Sequence, residues 1–190
     1  MTRAVAAALS AIAVSALGWA TRHAAAQAPP PAPAGEWRSY AGDLRNHHYS
    51  PLTQISAANF NALEVAWRFK TDALGPRPEF NYETTPLMAN GVVYATAGTR
   101  RAVVALDAAT GELLWMHRED EGARGDAAPR KLSGRGLAYW SDARERRVIY
   151  VTPGYRLVAL DAKTGIPVPG FGIVWKIHRR LPVRTSNART

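Results

Sequence analysis

Residues 103–111 read V-V-A-L-D-A-A-T-G, and residues 157–165 repeat them almost unchanged as L-V-A-L-D-A-K-T-G. Asp107 of the first copy and Asp161 of the second are 54 positions apart. A β-rich run precedes each copy, at residues 92–96 and 148–152. A strand, a turn, a second strand and a D-x-x-T-G turn form an antiparallel unit, and units recurring at about 40–50 residues or slightly more are typical of propeller blades. The repeat therefore predicts an all-β fold built from the blades of a β-propeller that is incomplete here.

Both ends of the 190-residue chain differ from this repeat in composition. Residues 1–28 combine a positive start, an alanine-rich apolar stretch and an A-Q-A cleavage pattern, which predicts a secretory signal peptide. Residues 29–35, P-P-P-A-P-A-G, predict an extended proline-rich linker. Residues 36–172 hold the predicted blades. Residues 173–190 contain neither acid nor glycine and are expected to be a disordered, aberrant tail of the kind that a frameshift produces.

The chain carries a formal net charge of +9 and no cysteine. Part of this charge comes from residues 173–190, and elsewhere basic residues are mixed with acids, as in R-E-D-E at residues 118–121. Mixed-sign clusters create little sustained field, so we do not expect nucleic-acid binding. The absence of cysteine excludes thiolate nucleophiles, thiolate zinc sites and a lipidated N-terminal cysteine. The expected periplasmic location therefore rests on the signal peptide alone.

Alternating apolar and polar residues predict the strands of the blades. These strands are expected near residues 63–69, 86–89, 92–96, 102–106, 113–117, 136–140, 148–152 and 157–160. Asn90-Gly91 predicts a tight hairpin turn, and Ser56 is expected to cap a single helical turn over residues 56–60. Residues 119–133 are polar and predict an irregular insertion between the two units. No stretch has sustained helical periodicity.

In this order, the segments resemble the N-terminal part of the quinoprotein dehydrogenases, which use pyrroloquinoline quinone (PQQ) in an eight-bladed propeller. Beside the paired A-L-D-A-x-T-G turns, the resemblance rests on W-R-S-Y-A-G-D-L-R-N-H-H-Y-S-P-L-T-Q-I at residues 37–55, L-E-V-A-W-R-F-K at 63–70, T-P-L-M-A-N-G-V-V-Y-A-T-A-G at 85–98 and R-G-L-A-Y-W at 135–140. Some alcohol-oxidising members of the family carry a vicinal cysteine pair shortly before the arginine that corresponds to Arg135. In this chain the stretch before Arg135, residues 128–132, reads A-P-R-K-L. The chain is therefore most similar to the glucose-type and broader sugar or alcohol dehydrogenases.

The resemblance implies three contacts with PQQ. Glu83 matches an acidic residue near the quinone, although a solvated loop is the structural alternative. Arg135 matches an arginine that faces the ortho-quinone oxygens, where a fixed cation stabilises the negative charge formed on reduction; an arginine that bridges blades is the alternative. Thr152 matches a threonine whose hydroxyl contacts a PQQ carboxylate, and threonine is also common in strands for packing reasons. No catalytic or metal-binding residue is assigned to this chain.

Trp115 and the histidines have structural interpretations. By the resemblance, Trp115 ends a blade and packs over the turn of the next blade, whereas Pro169 occupies the corresponding position in the second copy. His47 and His48 are adjacent on an extended chain and point to opposite sides, so we do not expect them to share a metal ion.

The resemblance implies oxidation of a sugar or alcohol, with electrons passing to a quinone or cytochrome. In the family, the catalytic aspartate and the calcium ligands lie on later blades, so this chain is expected to be an N-terminal fragment that is inactive alone. Membrane association stays open. One alternative is a non-enzymatic PQQ-repeat propeller, a scaffold for protein–protein interaction that shares the same turn. Another is a two-blade protein whose ring a separate partner completes.

Overall fold

The computed structural model describes residues 33, 35–75, 81–131 and 136–171. The predicted signal peptide, most of the predicted linker and the predicted tail at residues 173–190 lie outside these residues. Within them, no helix is long and apolar enough to cross a membrane.

The first repeat forms a four-stranded antiparallel sheet in the order β1-β2-β3-β4. Its strands are β1 (Leu87–Ala89), β2 (Val92–Ala97), β3 (Ala102–Asp107) and β4 (Leu113–His117). The predicted hairpin turn joins β1 to β2, with φ of 52° at Asn90 and 74° at Gly91. Two successive positive φ angles suit the right-handed twist of a two-residue hairpin, and asparagine and glycine tolerate them best.

The second repeat forms a three-stranded antiparallel sheet in the order β5-β6-β7. Its strands are β5 (Ala138–Ser141), β6 (Arg146–Val151) and β7 (Leu157–Asp161). After β7, a single antiparallel bridge pairs Leu160 with Pro167 at the position that a fourth strand would take. Proline has no backbone N–H, and residues 166–171 hold two prolines, which explains why the pairing stops there.

The two sheets enclose one core between their facing sides. Leu87 and Val103 from the first sheet and Val148 and Leu160 from the second belong to one cluster, and all four are fully buried. The Tyr94 hydroxyl crosses from the first sheet and donates to the Ala162 carbonyl at 3.1 Å. Burial raises the pKa of Tyr94 to about 12, so this donor stays protonated.

Trp115 on β4 packs over the turn that follows β7, which confirms the prediction for this residue. Its Nε1 donates to the Ala162 carbonyl at 3.1 Å. Gly165 lies under the ring with φ of 71°, and a Cβ there would stand 2.5 Å from Trp115 Cε3. The turn glycine is therefore required both for its left-handed backbone and for the close approach of the ring.

Trp67 makes the same contact with the D-x-x-T-G turn of the first sheet, between β3 and β4, which the sequence analysis did not predict. Its Nε1 donates to the Ala108 carbonyl at 3.1 Å, and a Cβ at Gly111 would lie 2.6 Å from Trp67 Cδ2. Phe69 and Leu74 pack beside Trp67 on the outer face of the first sheet. The chain preceding β1 thus covers that face.

Three local predictions were wrong. Residues 63–69 do not form a strand, since no strand in the described part of the chain lies beside them to pair with. Ser56 caps no helix; a 3-10 helix spans Phe60–Ala62, and the Asn59 side chain accepts from the Ser56 N–H at 2.7 Å. The insertion expected to be irregular contains a short helix, α1 (Gly122–Asp126).

The D-x-x-T-G turns are built as their sequence predicts. Asp107 Oδ1 accepts from the N–H groups of Ala109 and Thr110 at 2.9 and 2.8 Å and from the Thr110 hydroxyl at 3.0 Å. Asp161 makes the matching bonds to Lys163 and Thr164. The bonds from the Thr110 backbone and hydroxyl lower the pKa of Asp107, because they favour the ionised carboxylate.

This lowered pKa predicts acid sensitivity that Asp107→Asn should reduce. A carboxylate with a lowered folded-state pKa stabilises the fold above its unfolded pKa, and this stabilisation is lost as pH falls, between about pH 5 and pH 2. Asparagine keeps the acceptor oxygen but does not titrate there. We expect the urea midpoint of Asp107→Asn to fall less over this range than that of the parent. Glu112→Gln, on the same turn, is the control, and parallel profiles for parent and Asp107→Asn would contradict the prediction.

Candidate functional site

The β2–β3 turn, the end of β4 and the β6–β7 turn meet at one end of the two sheets, called here the loop end. Arg101 in the β2–β3 turn holds it together: Nη1 donates to the Val151 carbonyl at 3.0 Å and Nη2 to the Arg130 carbonyl at 3.2 Å. Arg101 is 5% exposed and has a φ of 52°. A buried guanidinium with carbonyl acceptors on both sides fixes the two sheets relative to each other at this end.

Glu121, just before α1, binds the β6–β7 turn. Its Oε1 accepts from the Thr152 hydroxyl at 2.6 Å, and its Oε2 accepts from the Gly154 N–H at 2.7 Å. Arg124 Nε donates to the Gly154 carbonyl at 2.7 Å. The helix therefore satisfies backbone and side-chain groups of a turn about 30 residues further along the chain.

Thr152 is fully buried, and both roles of its hydroxyl are in use. It donates to Glu121 and accepts from the Arg156 N–H at 2.9 Å. A hydroxyl has one proton to donate, and a carboxylate can only accept. Contact between Thr152 and a PQQ carboxylate would therefore have to replace the bond to Glu121.

Glu119 and Tyr150 are two further polar residues near the loop end. Glu119 accepts from Arg156 Nη1 at 2.9 Å, and its other oxygen lies 3.0 Å from His117 Nε2. Tyr150 is buried, and its hydroxyl has no hydrogen-bond partner within the described part of the chain. Burial, with the nearby carboxylates of Glu119 and Glu121, raises the pKa of Tyr150. The phenol is thus held protonated.

A cleft of about 120 Å³ opens at the loop end between the β2–β3 turn and α1. Arg100 and Lys131 line it together with acidic residues that include Glu119 and Asp126. Thr99 also lines it, and its buried Oγ1 makes no hydrogen bond among the described residues. Small-molecule pockets usually measure about 300–1,000 Å³. Four acidic residues line the cleft against these two cations, so it carries no excess positive charge for a polyanion such as PQQ, and it is too small to enclose the whole molecule.

The three candidate cofactor residues differ in what the structure describes. Glu83 is exposed and lies just before β1 at the loop end, next to Thr84, whose Oγ1 lies 2.8 Å from Thr96 Oγ1 on β2. Thr152 lies at the same end, but within the described residues no hydrogen bond links it to Glu83. Arg135 lies outside the described residues.

Four residues of the loop end were missed by the sequence analysis: Thr99, Arg101, Glu121 and Tyr150. No signal in the sequence pointed to Arg101: Tyr155 stands at the equivalent position of the second copy, and only the structure shows that both have positive φ, 52° and 63°. The role of Glu121 had no signal in the sequence either, since its partners come from a turn on the second sheet. Within the described part of the chain, no group of three or more histidine or acidic side chains is placed to hold a metal ion.

Residues 37–184 match the family model described as the glucose/ethanol/alcohol dehydrogenase PQQ β-propeller domain. The chain belongs to this family, which confirms the resemblance and the propeller fold. The match extends beyond residue 172 into the segment predicted to be an aberrant tail.

Relatives include the dehydrogenase subunit of a quinone-type alcohol dehydrogenase from Gluconobacter oxydans, 39% identical over 76% of this chain and 17% of its own length. The glycerol dehydrogenase large subunit from Gluconobacter oxydans is 31% identical, over 73% of this chain and 20% of its own length. Among solved structures, the quinohemoprotein alcohol dehydrogenase ADHIIG from Pseudomonas putida HK5 superimposes with a TM-score of 0.57 and 34% identity, over 70% of this chain and 18% of that one. The chain thus spans about a fifth or less of the length of the relatives it matches.

Proposed function

We propose that this chain is the N-terminal portion of an exported, periplasmic PQQ-dependent dehydrogenase that oxidises an alcohol or sugar hydroxyl. The observation that carries the proposal is the family match over residues 37–184, the region that holds both blade sheets. The names of the relatives support an alcohol or glycerol substrate at least as well as glucose. They also support a quinone or a haem protein as the electron acceptor.

We assign the cofactor to the loop end. When bound, PQQ supplies a two-electron acceptor. Glu83 stands at the edge of this end, and Arg100 or Lys131 in the cleft would each offer a cation to a cofactor carboxylate through a charge-assisted hydrogen bond. Arg135 is proposed to place a fixed positive charge beside the quinone oxygens, where negative charge develops on reduction. Thr152 joins the site only if its hydroxyl leaves Glu121.

The proposed activity belongs to a polypeptide longer than this chain. By family resemblance, the catalytic aspartate and the calcium ligands come from later blades. We therefore propose that the chain alone binds PQQ at most and does not oxidise ethanol or glucose with a dye acceptor, even with PQQ and calcium present. Dye reduction above the buffer rate by the purified chain would refute this.

PQQ binding to the purified chain tests the cofactor assignment. Titration with PQQ should quench tryptophan fluorescence to saturation, and Arg135→Ala should weaken binding by about tenfold or more, because a hydrogen bond to a charged group contributes about 1.5–3 kcal/mol. Arg144→Ala is the control, since Arg144 is exposed on the β5–β6 turn at the opposite end of the sheet. No saturable quenching, or equal weakening by both variants, would favour the scaffold alternative.

A further inference from the structure

The β1–β2 hairpin carries an asparagine that the next residue can attack. The chain has six asparagines, at positions 46, 59, 61, 81, 90 and 187, and only Asn90 is followed by a glycine. Because glycine has no side chain beside its backbone nitrogen, an Asn-Gly pair closes to a cyclic imide more readily than asparagine before a larger residue. Asn90 and Gly91 are both exposed, and a Cβ at Gly91 would meet nothing within 4 Å. The approach to the glycine nitrogen is therefore open.

The attacking nitrogen makes no hydrogen bond that would have to break. In the hairpin Ala89 pairs with Val92, and the Gly91 N–H has no hydrogen-bond partner among the described residues. The Gly91 carbonyl, in contrast, accepts from the Ala108 N–H at 2.9 Å. The Gly91 nitrogen can therefore lose its proton to solvent while the rest of the turn stays fixed.

The side chain that would be attacked is held by the second sheet. Asn90 Nδ2 donates to the hydroxyl of Tyr139 on β5 at 2.8 Å, and the Asn90 N–H donates to Glu36 Oε1 at 2.9 Å. The Tyr139 ring is half-buried, lies 6.0 Å from the Tyr94 ring and has the Arg38 guanidinium over its face. Nδ2 leaves as ammonia when the imide forms, so the bond that holds this atom to Tyr139 opposes the reaction.

We propose that Asn90 is a modification site that converts to isoaspartate and aspartate, and that the second sheet slows this conversion through Tyr139. The Gly91 nitrogen attacks Asn90 Cγ, the Cγ–Nδ2 bond breaks, and ammonia leaves with the proton of the Gly91 nitrogen. Water then opens the cyclic imide. Opening at Cγ gives aspartate, and opening at the backbone carbonyl carbon of residue 90 gives isoaspartate. The proposal does not depend on PQQ binding or on catalysis.

Conversion would weaken the contacts that the hairpin makes. The isoaspartate backbone runs through Cβ, which lengthens a two-residue turn whose length fixes the register of β1 and β2. Neither product keeps the amide that donates to Tyr139. Both products place a new carboxylate beside Glu36, and like charges repel. We therefore expect the converted chain to unfold at a lower urea concentration than the parent.

Timed incubation of the purified chain, followed by peptide mapping with mass spectrometry, tests the site. The control is Asn46, which is exposed and has a left-handed backbone like Asn90, with φ of 64° against 52°. Asn46 is followed by His47, whose N–H donates to Asp43 Oδ1 at 3.1 Å. Asn90 should convert in the folded chain, more slowly than in urea, while Asn46 stays unchanged over the same time.

Tyr139→Phe tests the role of the second sheet, because it keeps the ring and removes the hydroxyl that holds Nδ2. We expect Asn90 to convert about fivefold faster in this variant when folded, as the loss of one hydrogen bond implies. In urea, parent and variant should convert equally fast. Tyr150→Phe is the matched control, since Tyr150 lies on β6 of the same sheet and its hydroxyl has no partner within the described part of the chain.

Three results would overturn the proposal. An Asn90 that stays intact in the folded chain, over the time in which it converts in urea, would show that the fold excludes the reaction. Equal conversion of Asn46 and Asn90 would show that Gly91 does not select the site. Equal rates in folded Tyr139→Phe and Tyr150→Phe, or an acceleration by Tyr139→Phe that persists in urea, would show that the Tyr139 contact does not control the conversion.

Discussion

Gly165→Ala is expected to lower the free energy of unfolding by about 3 kcal/mol. Alanine at a left-handed position costs about 1–2 kcal/mol, because its Cβ crowds the following carbonyl oxygen. At Gly165 the Cβ would in addition stand 2.5 Å from the Trp115 ring, and overpacking of this kind typically costs about 1–3 kcal/mol. The Trp115 ring must move or the turn must open, and either change weakens the contact between the two sheets.

Gly91→Ala is the matched control for this prediction. Gly91 has almost the same φ, 74°, but a Cβ there would meet nothing within 4 Å. Its cost should therefore contain the backbone penalty alone. Urea denaturation followed by tryptophan fluorescence measures both variants, and equal destabilisation would mean that the ring contact does not stabilise the fold.

Glu121→Ala is expected to lower the free energy of unfolding by about 2 kcal/mol. Removal of the carboxylate leaves the buried Thr152 hydroxyl and the Gly154 N–H without their acceptor, and each unsatisfied buried group costs about 1–3 kcal/mol. Because Glu121 is only half-buried, water can accept some of the hydrogen bonds that the carboxylate accepted. The expected loss of about 2 kcal/mol therefore lies near the lower end of the sum for two groups.

The control for Glu121→Ala is Asp126→Ala in the same cleft. Asp126 is exposed, and its side chain makes no hydrogen bond within the described residues, so the change should stay within about 0.5 kcal/mol. Amide exchange at Gly154 provides a second measurement, since its N–H should exchange faster only in Glu121→Ala. A Gly154 N–H that stays protected in Glu121→Ala would show that the β6–β7 turn keeps its conformation without Glu121.

The two blade sheets could be predicted because their information is local and repeated. Asp107 meets Ala109 and Thr110, only two and three residues away, so the turn chemistry is contained in a few consecutive letters. The Asn90-Gly91 hairpin is local in the same way. The strand predicted at residues 63–69 was wrong for the opposite reason. Their alternation of apolar and polar residues is that of a strand, but a strand forms only when it pairs with another, and none of the described strands lies beside them.

The sequence alone predicted the all-β class and the D-x-x-T-G turns through short-range chemistry and the repeat, and its resemblance to a known family added the family itself and the docking role of Trp115. Only the tertiary structure revealed that Trp67 repeats the contact of Trp115, that Glu121 holds Thr152, and that Arg101 joins the sheets. These interactions link segments about 30–50 residues apart, and they depend on burial and on the direction of each donor. Both arise only when the chain has folded and the two sheets face each other.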